Sequence, residues 1–414
     1  MPSTPRSVEP TISPADAHGL AGGARVRVGG RVLVATSREL VLHDDRATIT
    51  ATLANASDVF ATGDLVVLEG LRAGVAHLHD ALVISRTQTA ARSEGAPSDV
   101  ARFFDGGVGA RLRLRAVLVR EVRAHFDEAG FLEVDTPVLA PCPGLDLHLD
   151  AFEVVRGERY LLTSPEYQMK RLLVGGVPRC FQLAKSFRRG ERGSRHNPEF
   201  TMLEWYRAFA DLDEVIADTE ALIVRAAAVG RTLAPSTSTL ARLELARPFE
   251  RISVAAAFER YAHVGEARML ELAHGDEDTF FRVLVDEVEP ALASARGPVV
   301  LERYPAPMAS LARLCPDDPR YAERFELYAD GVELCNGFGE LTDPLEQRAR
   351  FERDLAERAR RGLPLYPIDE RFIGALAEGM PPAAGNALGL DRLVMLAAGA
   401  TSLEDVLAFP DGEL

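Results

Sequence analysis

The chain has 414 residues, 47% of them hydrophobic, enough for one large domain and a smaller one. A formal net charge of −15 argues against non-specific nucleic-acid binding, which needs a basic footprint, and leaves room only for a local basic patch. No apolar run reaches membrane length, the N-terminus has no apolar signal segment, and Cys142, Cys180, Cys315 and Cys335 form no CxxC pair, so no membrane span, zinc site or disulfide framework is expected and the reducing cytoplasm is the expected location.

Residues 1–22 are rich in Pro and Ser and are expected to be a disordered tail. Residues 23–86 contain five short runs in which β-branched residues alternate with polar ones (ARVRVGGRVLVA, ELVLHD, ATITATLA, DLVVLEGLR and ALVIS), with Gly, Asn and Asp at the turns. That pattern predicts a small OB-like barrel. Residues 87–100 read as a polar linker, and a larger domain is expected over 101–414. Helical periodicity covers 110–129, with Leu112, Leu114, Val117, Leu118, Val122 and Phe126 apolar. FLEVDTPVL reads as a strand entering a turn ended by Pro137, and a helix is expected to start near Ser164-Pro165-Glu166, because Ser caps and Pro suits a first turn. FQLAKSFRRGE and FTMLEWYRAF read as strands around a charged loop, followed by a helix over 212–229. Residues 231–250 are expected to be a loop and 252–296 helical. FELYADGVELCNGFGEL reads as a hairpin turning at Asp-Gly, 344–361 as a charged helix, and NALGLDRLVMLAAG as a strand or turn running into a helix. These strands are joined by hairpins and long excursions rather than βαβ units, so the class is α+β: an antiparallel sheet flanked by helices. No GxxxxGK[ST] occurs, so a nucleotide site would have to use side chains.

Three clusters carry chemistry. Residues 187–200, FRRGERGSRHNPEF, place four arginines in a loop between strands, where guanidinium forks suit phosphate oxygens; the plain alternative is a solvated basic loop. Residues 331–343 carry Glu333 and Glu340 on an apolar, Gly-containing strand. Such carboxylates suit Mg²⁺ bridging ATP oxygens, or are strand-end groups facing solvent. Residues 385–396 combine small residues with Arg392, which could lie over an adenine ring; ordinary helix capping by Asp391 is the alternative. Each cluster is ambiguous alone, and their order along the chain is not.

In that order the clusters resemble motifs 2 and 3 of class II aminoacyl-tRNA synthetases, and 110–137 resembles motif 1, the dimer-forming helix and strand. RHNPEFTMLEWYR and ELCNGFGELTD are similar to the lysyl branch. SPEYQMKRLL, RGLPLYPID and NALGLDRLVMLAAGATSLEDVLAF are closer still to the elongation factor P lysine ligases, truncated paralogues of lysyl-tRNA synthetase that attach (R)-β-lysine or lysine to a protein lysine. The resemblance covers about 101–414 and implies a homodimer that uses ATP and Mg²⁺ to activate lysine or (R)-β-lysine and transfer it to elongation factor P. Charging of tRNA is the alternative.

The resemblance also implies roles. Ser164, Pro165 and Glu166 correspond to a substrate-binding segment, with Glu166 on an amino group; Glu204 and Tyr206 would recognise the distal amine. Arg188 would bind the α-phosphate and the carboxylate. Arg189, Gly190, Glu191, Asn197, Phe200, Glu333, Leu334, Gly389 and Arg392 would form the ATP site, with Phe200 against adenine. Glu333 and Glu340 would hold the metal, and Arg188, Arg392 and Glu340 would be catalytic. Ala387 stands where lysyl-tRNA synthetases usually carry Gly, a methyl-sized difference at the pocket wall. There are departures from the pattern. FRRGE replaces FRNE, so Gly190 occupies the position of the adenine-contacting glutamate and Glu191 is its expected substitute. Asn386 is expected to reshape the amino-acid pocket. The barrel has seven arginines against seven acids over 24–86 and a single aromatic, Phe60, a poor composition for reading single-stranded RNA. Packing or dimerisation is its expected role.

Overall fold

The computed structural model describes residues 10–44, 46–56, 60–89 and 98–414, with backbone only at 104 and 105. The chain divides into two compact units, Met1–Ala110 and Arg111–Leu414. Much of the expected tail (1–9) and linker (90–97) lies outside the described residues. The rest of the tail is ordered: β1 (Thr11–Ile12) pairs with the barrel, and α1 (Pro14–His18) is capped by Ser13.

In the first unit, β2 (Arg25–Ala35), β3 (Glu39–His43), β4 (Thr48–Leu53), β5 (Leu65–Ala73) and β6 (His77–Thr87) follow the predicted runs. Their order is β2-β3-β4-β6-β5, and pairing of β2 with β5 closes the sheet. Alternation decides the inside. Val26, Val28, Val32, Leu40, Leu42, Ile49, Val66 and Leu68 are buried, and their sequence neighbours are not. Phe60 is buried too, with the Arg86 guanidinium 4.6 Å from its ring centroid.

Most of α2 (Val108–Glu128) belongs to the second unit. The FLEVDTPVL run forms only β7 (Leu132–Glu133) and the start of β8 (Leu139–Ala140), because Pro137 between them offers no N–H to a ladder. Then come β9 (Glu153–Val155), β10 (Arg159–Leu161), α3 (Glu166–Val174), β11 (Arg179–Phe187), β12 (Glu199–Ala208) and α4 (Leu212–Leu233). Asp211 and Glu214 form a reciprocal capping box at the start of α4. The helical stretch after β13 (Glu250–Ser253) is broken into short pieces, among them α5 (Val254–Ala257), α6 (Glu266–Gly275), α7 (Glu277–Val283) and α8 (Glu289–Leu292). After β14 (Val299–Pro305), β15 (Tyr321–Ala329) and β16 (Val332–Gly339) form the expected hairpin. Asp330 and Gly331 both take positive φ, 51° and 69°, as a two-residue hairpin turn demands. α9 (Pro344–Arg361) is capped by Asp343 and ended by Gly362 at φ 69°. α10 (Glu370–Gly379) was not expected from sequence. β17 (Ala383–Gly389) runs directly into α11 (Leu390–Ala398).

The eight-stranded sheet has the order β13-β14-β15-β16-β17-β12-β11-β7, antiparallel except at its two edge pairs. α2, α4 and α11 cover one face through a core containing Phe126, Ile223, Trp205 and Leu393. A second core, containing Tyr167, Phe351 and Phe372, joins α3, α9 and α10. Between these supports the other face of the central strands stays open as a cavity.

Candidate active site

Strand register builds the site. Glu204 on β12 pairs with Ala387 on β17, Ala387 with Asn336 on β16, and Asn336 with Glu326 on β15. Residues paired in one row of a sheet share a face. All four line one cavity of about 710 Å³.

One end of the cavity is acidic. Glu204 is fully buried, and its two oxygens accept from the hydroxyls of Ser164 (2.6 Å) and Tyr206 (2.8 Å). Burial, with the charge of Glu166 nearby, pushes the Glu204 carboxyl up to about 8. Ser164 also accepts from the Glu166 backbone N–H, so the short α3 entrance positions both residues. Lys170, one turn further along α3 and fully buried, lies 2.6 Å from Glu166 and 2.5 Å from Glu340. Burial opposes its charge, but Glu166 and Glu340 outweigh that and hold the ammonium above its usual range. Glu340 is pushed up to about 7, its burial outweighing the attraction of Lys170. Glu166, Glu204 and Glu340 crowd a single ammonium, and burial with their mutual repulsion holds Glu204 and Glu340 above the usual carboxylate range, ready to ionise against an added cation. Gly385 makes the packing possible, since a Cβ there would stand 2.2 Å from the Tyr206 ring and 2.7 Å from Glu340 Oε1.

The other end is cationic and aromatic. Arg188 lies over the Phe200 ring at 5.1 Å and 3.6 Å from Glu191, and its Nε is buried without a hydrogen-bond partner among the described residues. An orphaned guanidinium N–H facing a cavity suits an anion. Arg392, on the first turn of α11, donates to the Glu333 carbonyl (2.9 Å) and side chain (3.3 Å) and meets His196 at 2.8 Å. Asp391 anchors that turn by accepting from the Thr201 N–H (2.8 Å) and pairing with Arg115. Glu333 is raised by burial and by the charge of Glu326, with Arg392 and Arg188 opposing. Glu326 itself accepts from Arg324 (2.7 Å) and Tyr328 (2.6 Å).

Of the residues singled out in the sequence, Ser164, Glu166, Arg188, Glu191, Asn197, Phe200, Glu204, Glu333, Leu334, Ala387, Gly389 and Arg392 all border this cavity. Tyr206 stands behind Glu204, and Pro165 is the N-cap of α3. Arg189 and Gly190 do not border it: both are exposed, Gly190 sits at φ 88°, and Glu191 is the residue that faces in. Glu333 and Glu340 are not brought together as a metal pair. Glu340 is buried at the acidic end against Lys170, and the carboxylate that shares the wall with Glu333 is Glu326. Asn386 does not shape the pocket either. It lies on the opposite face of β17 and donates to Thr219 of α4 at 2.8 Å. Sequence reasoning missed Glu326, Asn336 and Lys170. Period-2 alternation through FELYA would have put Glu326 and Tyr328 on one face, and lysine at 170 is conspicuous where only two of 47 basic residues are lysine.

Among the described residues no three His, Cys, Asp or Glu side chains form a metal cage. Two carboxylates beside an arginine-lined anion site fit Mg²⁺ carried on phosphates, because that ion typically takes one or two carboxylates and completes its shell with phosphate and water.

Comparison with known proteins bears on this arrangement. A family model described as tRNA synthetases class II (D, K and N) matches residues 100–413. A protein of Klebsiella pneumoniae subsp. pneumoniae named elongation factor P–(R)-β-lysine ligase is 42% identical over 320 residues, 71% of this chain and 93% of that one. The protein of that name from Erwinia tasmaniensis is 41% identical over 337 residues, 75% of this chain and 98% of the relative. A Salmonella dublin counterpart is 42% identical over 320 residues.

Proposed function

The chain belongs to the class II tRNA synthetase family of the D, K and N type and, within it, to the elongation factor P–(R)-β-lysine ligases, and from that premise we propose that it activates lysine or (R)-β-lysine with ATP and transfers it to a lysine side chain of elongation factor P. The observation that carries the proposal is the single cavity whose acidic end, at Glu204, and anion-binding end, at Arg188, face each other across one row of strands. A diamino acid has a distal ammonium and a carboxylate, and an activating enzyme must hold the first while the second meets an α-phosphate.

In this reading Glu204, oriented by Ser164 and Tyr206, takes the distal ammonium, and Glu166 takes the other amine. Arg188 neutralises the charge that builds as the substrate carboxylate oxygen bonds to the α-phosphorus and the bond to pyrophosphate breaks. Phe200 and Arg392 flank the adenine, with Glu191 as its polar contact. Glu326 and Glu333 would hold Mg²⁺, which when bound supplies charge neutralisation on the phosphate oxygens. Ala387 lies between Glu204 and Asn336 in the row, where one methyl limits the position of an amino group. A homodimer is part of the proposal, supported by exposed apolar side chains at Leu132, Val138, Leu139, Val154 and Val155.

The test is incubation with ATP, labelled lysine or (R)-β-lysine, and either elongation factor P or tRNA. Label is expected on the protein acceptor. Label on tRNA alone would replace this reading with tRNA charging, for which the barrel offers no exposed aromatic platform among its described residues.

A further inference from the structure

Resting on that function, we infer that His148 is the base that takes the proton from the acceptor amine as the aminoacyl group is transferred. Residues 143–150 form a strap between the two ends of the cavity. At one end Thr163 donates to the Pro143 carbonyl through its N–H (3.1 Å) and hydroxyl (2.9 Å), beside Ser164; at the other, the Arg189 N–H donates to the Asp150 carbonyl at 2.7 Å, beside Arg188. His148 therefore sits on the segment that spans from the amino-acid end to the phosphate end.

The strap is fixed from below. Arg358 of α9, only 1% exposed, donates to the carbonyls of Asp146 (2.8 Å), Leu147 (2.9 Å) and Leu149 (3.0 Å) and to the Asp150 carboxylate (2.6 Å). His148 borders the cavity, and the Phe281 ring that its imidazole meets borders it too. There its Nε2 lies 3.2 Å from Glu277 Oε1 on α7, and its ring meets Phe281 edge-on at 5.6 Å. A carboxylate at Nε2 favours the Nε2–H tautomer and leaves Nδ1 as the basic nitrogen. Nδ1 has no hydrogen-bond partner among the described residues.

A second cavity, of about 790 Å³, adjoins the first, and Asp146, His148, Asp278, Phe281, Ser310 and Arg324 border both. Two bound substrates would fill much of the first cavity, so an acceptor lysine reaches the activated carbonyl by way of the second. Among the six shared residues only the imidazole combines titration near neutrality with an orienting carboxylate. Glu277 and Asp278 from α7, Arg361 from α9 and Asp146 from the strap are the charged groups around it. The Glu277 hydrogen bond raises His148 above its usual range, against burial and Arg361.

The step balances. The acceptor nitrogen, as the free amine, forms the C–N bond to the carbonyl carbon. The C–O bond to the phosphate breaks and AMP leaves with that electron pair. The proton shed by nitrogen passes to His148 Nδ1, where Glu277 offsets the imidazolium charge, and then to water.

The test compares wild type, His148→Gln, His148→Ala and Glu277→Gln in two assays: amino-acid-dependent ATP–pyrophosphate exchange, and single-turnover transfer from preformed adenylate to elongation factor P. The ratio of transfer to exchange is expected to fall ~10²-fold in both His148 variants. Imidazole should restore part of the transfer by His148→Ala, and the acidic limb of the transfer–pH profile should move to lower pH in Glu277→Gln. Unchanged transfer with an unchanged limb in His148→Ala would overturn the inference, as would exchange and transfer falling together. Wild-type enzyme that forms adenylate yet never labels elongation factor P would overturn the function itself, and this step with it.

Discussion

Replacing Glu204 by Gln separates the charge of the acidic pocket from its shape. The amide keeps the volume and one hydroxyl contact but removes the carboxylate that Ser164 and Tyr206 orient. With the carboxyl pushed up to about 8, little of it is ionised at pH 6.5 and most is at pH 8.5. A cationic amine binds only the ionised form, so the apparent affinity for lysine or (R)-β-lysine should rise with pH, by roughly 25-fold across that window. Binding should accordingly release a proton near neutrality. In Glu204→Gln the slope should vanish, and at pH 8.5 the KM for the amino acid should be higher by ~30- to ~5,000-fold, the ~2–5 kcal/mol expected when one partner of a buried charge pair is removed. The assay is ATP–pyrophosphate exchange against amino-acid concentration at half-unit steps of pH. Stability should move the other way. A carboxyl raised from 4.5 costs the empty fold stability as pH rises towards 8, so the variant should melt higher than wild type at pH 8.5 and show little advantage below pH 4.5. A flat wild-type KM between pH 6.5 and 8.5, or a variant that keeps the slope, would refute the assignment of the ammonium to Glu204.

Ala387→Gly should shift the ratio of kcat/KM values for (R)-β-lysine and lysine towards lysine by ~10-fold or more, the scale of one methyl in a pocket; an unchanged ratio would remove Ala387 from specificity. Gly385→Ala should destabilise the fold by ~1–3 kcal/mol in urea titrations and raise the amino-acid KM, because its methyl displaces Tyr206 from Glu204. Arg358→Leu should cost ~3–5 kcal/mol, since it leaves Asp150 and three strap carbonyls without their buried partner; a loss below ~1 kcal/mol would show that the strap orders itself.

What sequence could reveal follows from how local each signal is. The barrel strands were legible because alternation and turn residues lie within a few positions of one another, as in Val26, Val28 and Val32. The β15–β16 hairpin was legible because Asp330-Gly331 carries its own turn chemistry. Over 131–139 the strand entering a turn at Pro137 was legible, and only its length was not: Leu132–Glu133 alone pairs before the proline, and pairing resumes at Leu139. The short helix over 14–18 was lost in a Pro/Ser-rich segment, where proline marks a helix start as readily as disorder. Asn386 and Ala387 show the same limit inside the site. They are adjacent in sequence and on opposite faces of one strand, so only pairing to β12 and β16 shows which of them meets the substrate.

The carboxylates mark where that limit matters for chemistry. Glu326, Glu333 and Glu340 are evenly spaced along the chain, and spacing alone does not say which two of them share a metal. A bulge between Leu327 and Tyr328 sets the answer. It shifts the β15–β16 register so that Glu326 and Glu333 reach the same stretch of wall, while Glu340, just past the end of β16, meets Lys170 and lies with Tyr206 against Gly385. Electrostatics then enforces the division, since Glu333 responds to Glu326, Arg392 and Arg188, and Glu340 responds to Lys170, Glu166 and Arg313. One strand thus serves two ends of the cavity, with the phosphate-side carboxylate at its start and the amine-side carboxylate just past its end. A substitution at Glu340 should therefore act on amino-acid binding, and one at Glu326 on the Mg²⁺ dependence of adenylate formation. If Glu340→Gln changed the Mg²⁺ requirement and left the amino-acid KM alone, the division read from the bulge would be wrong.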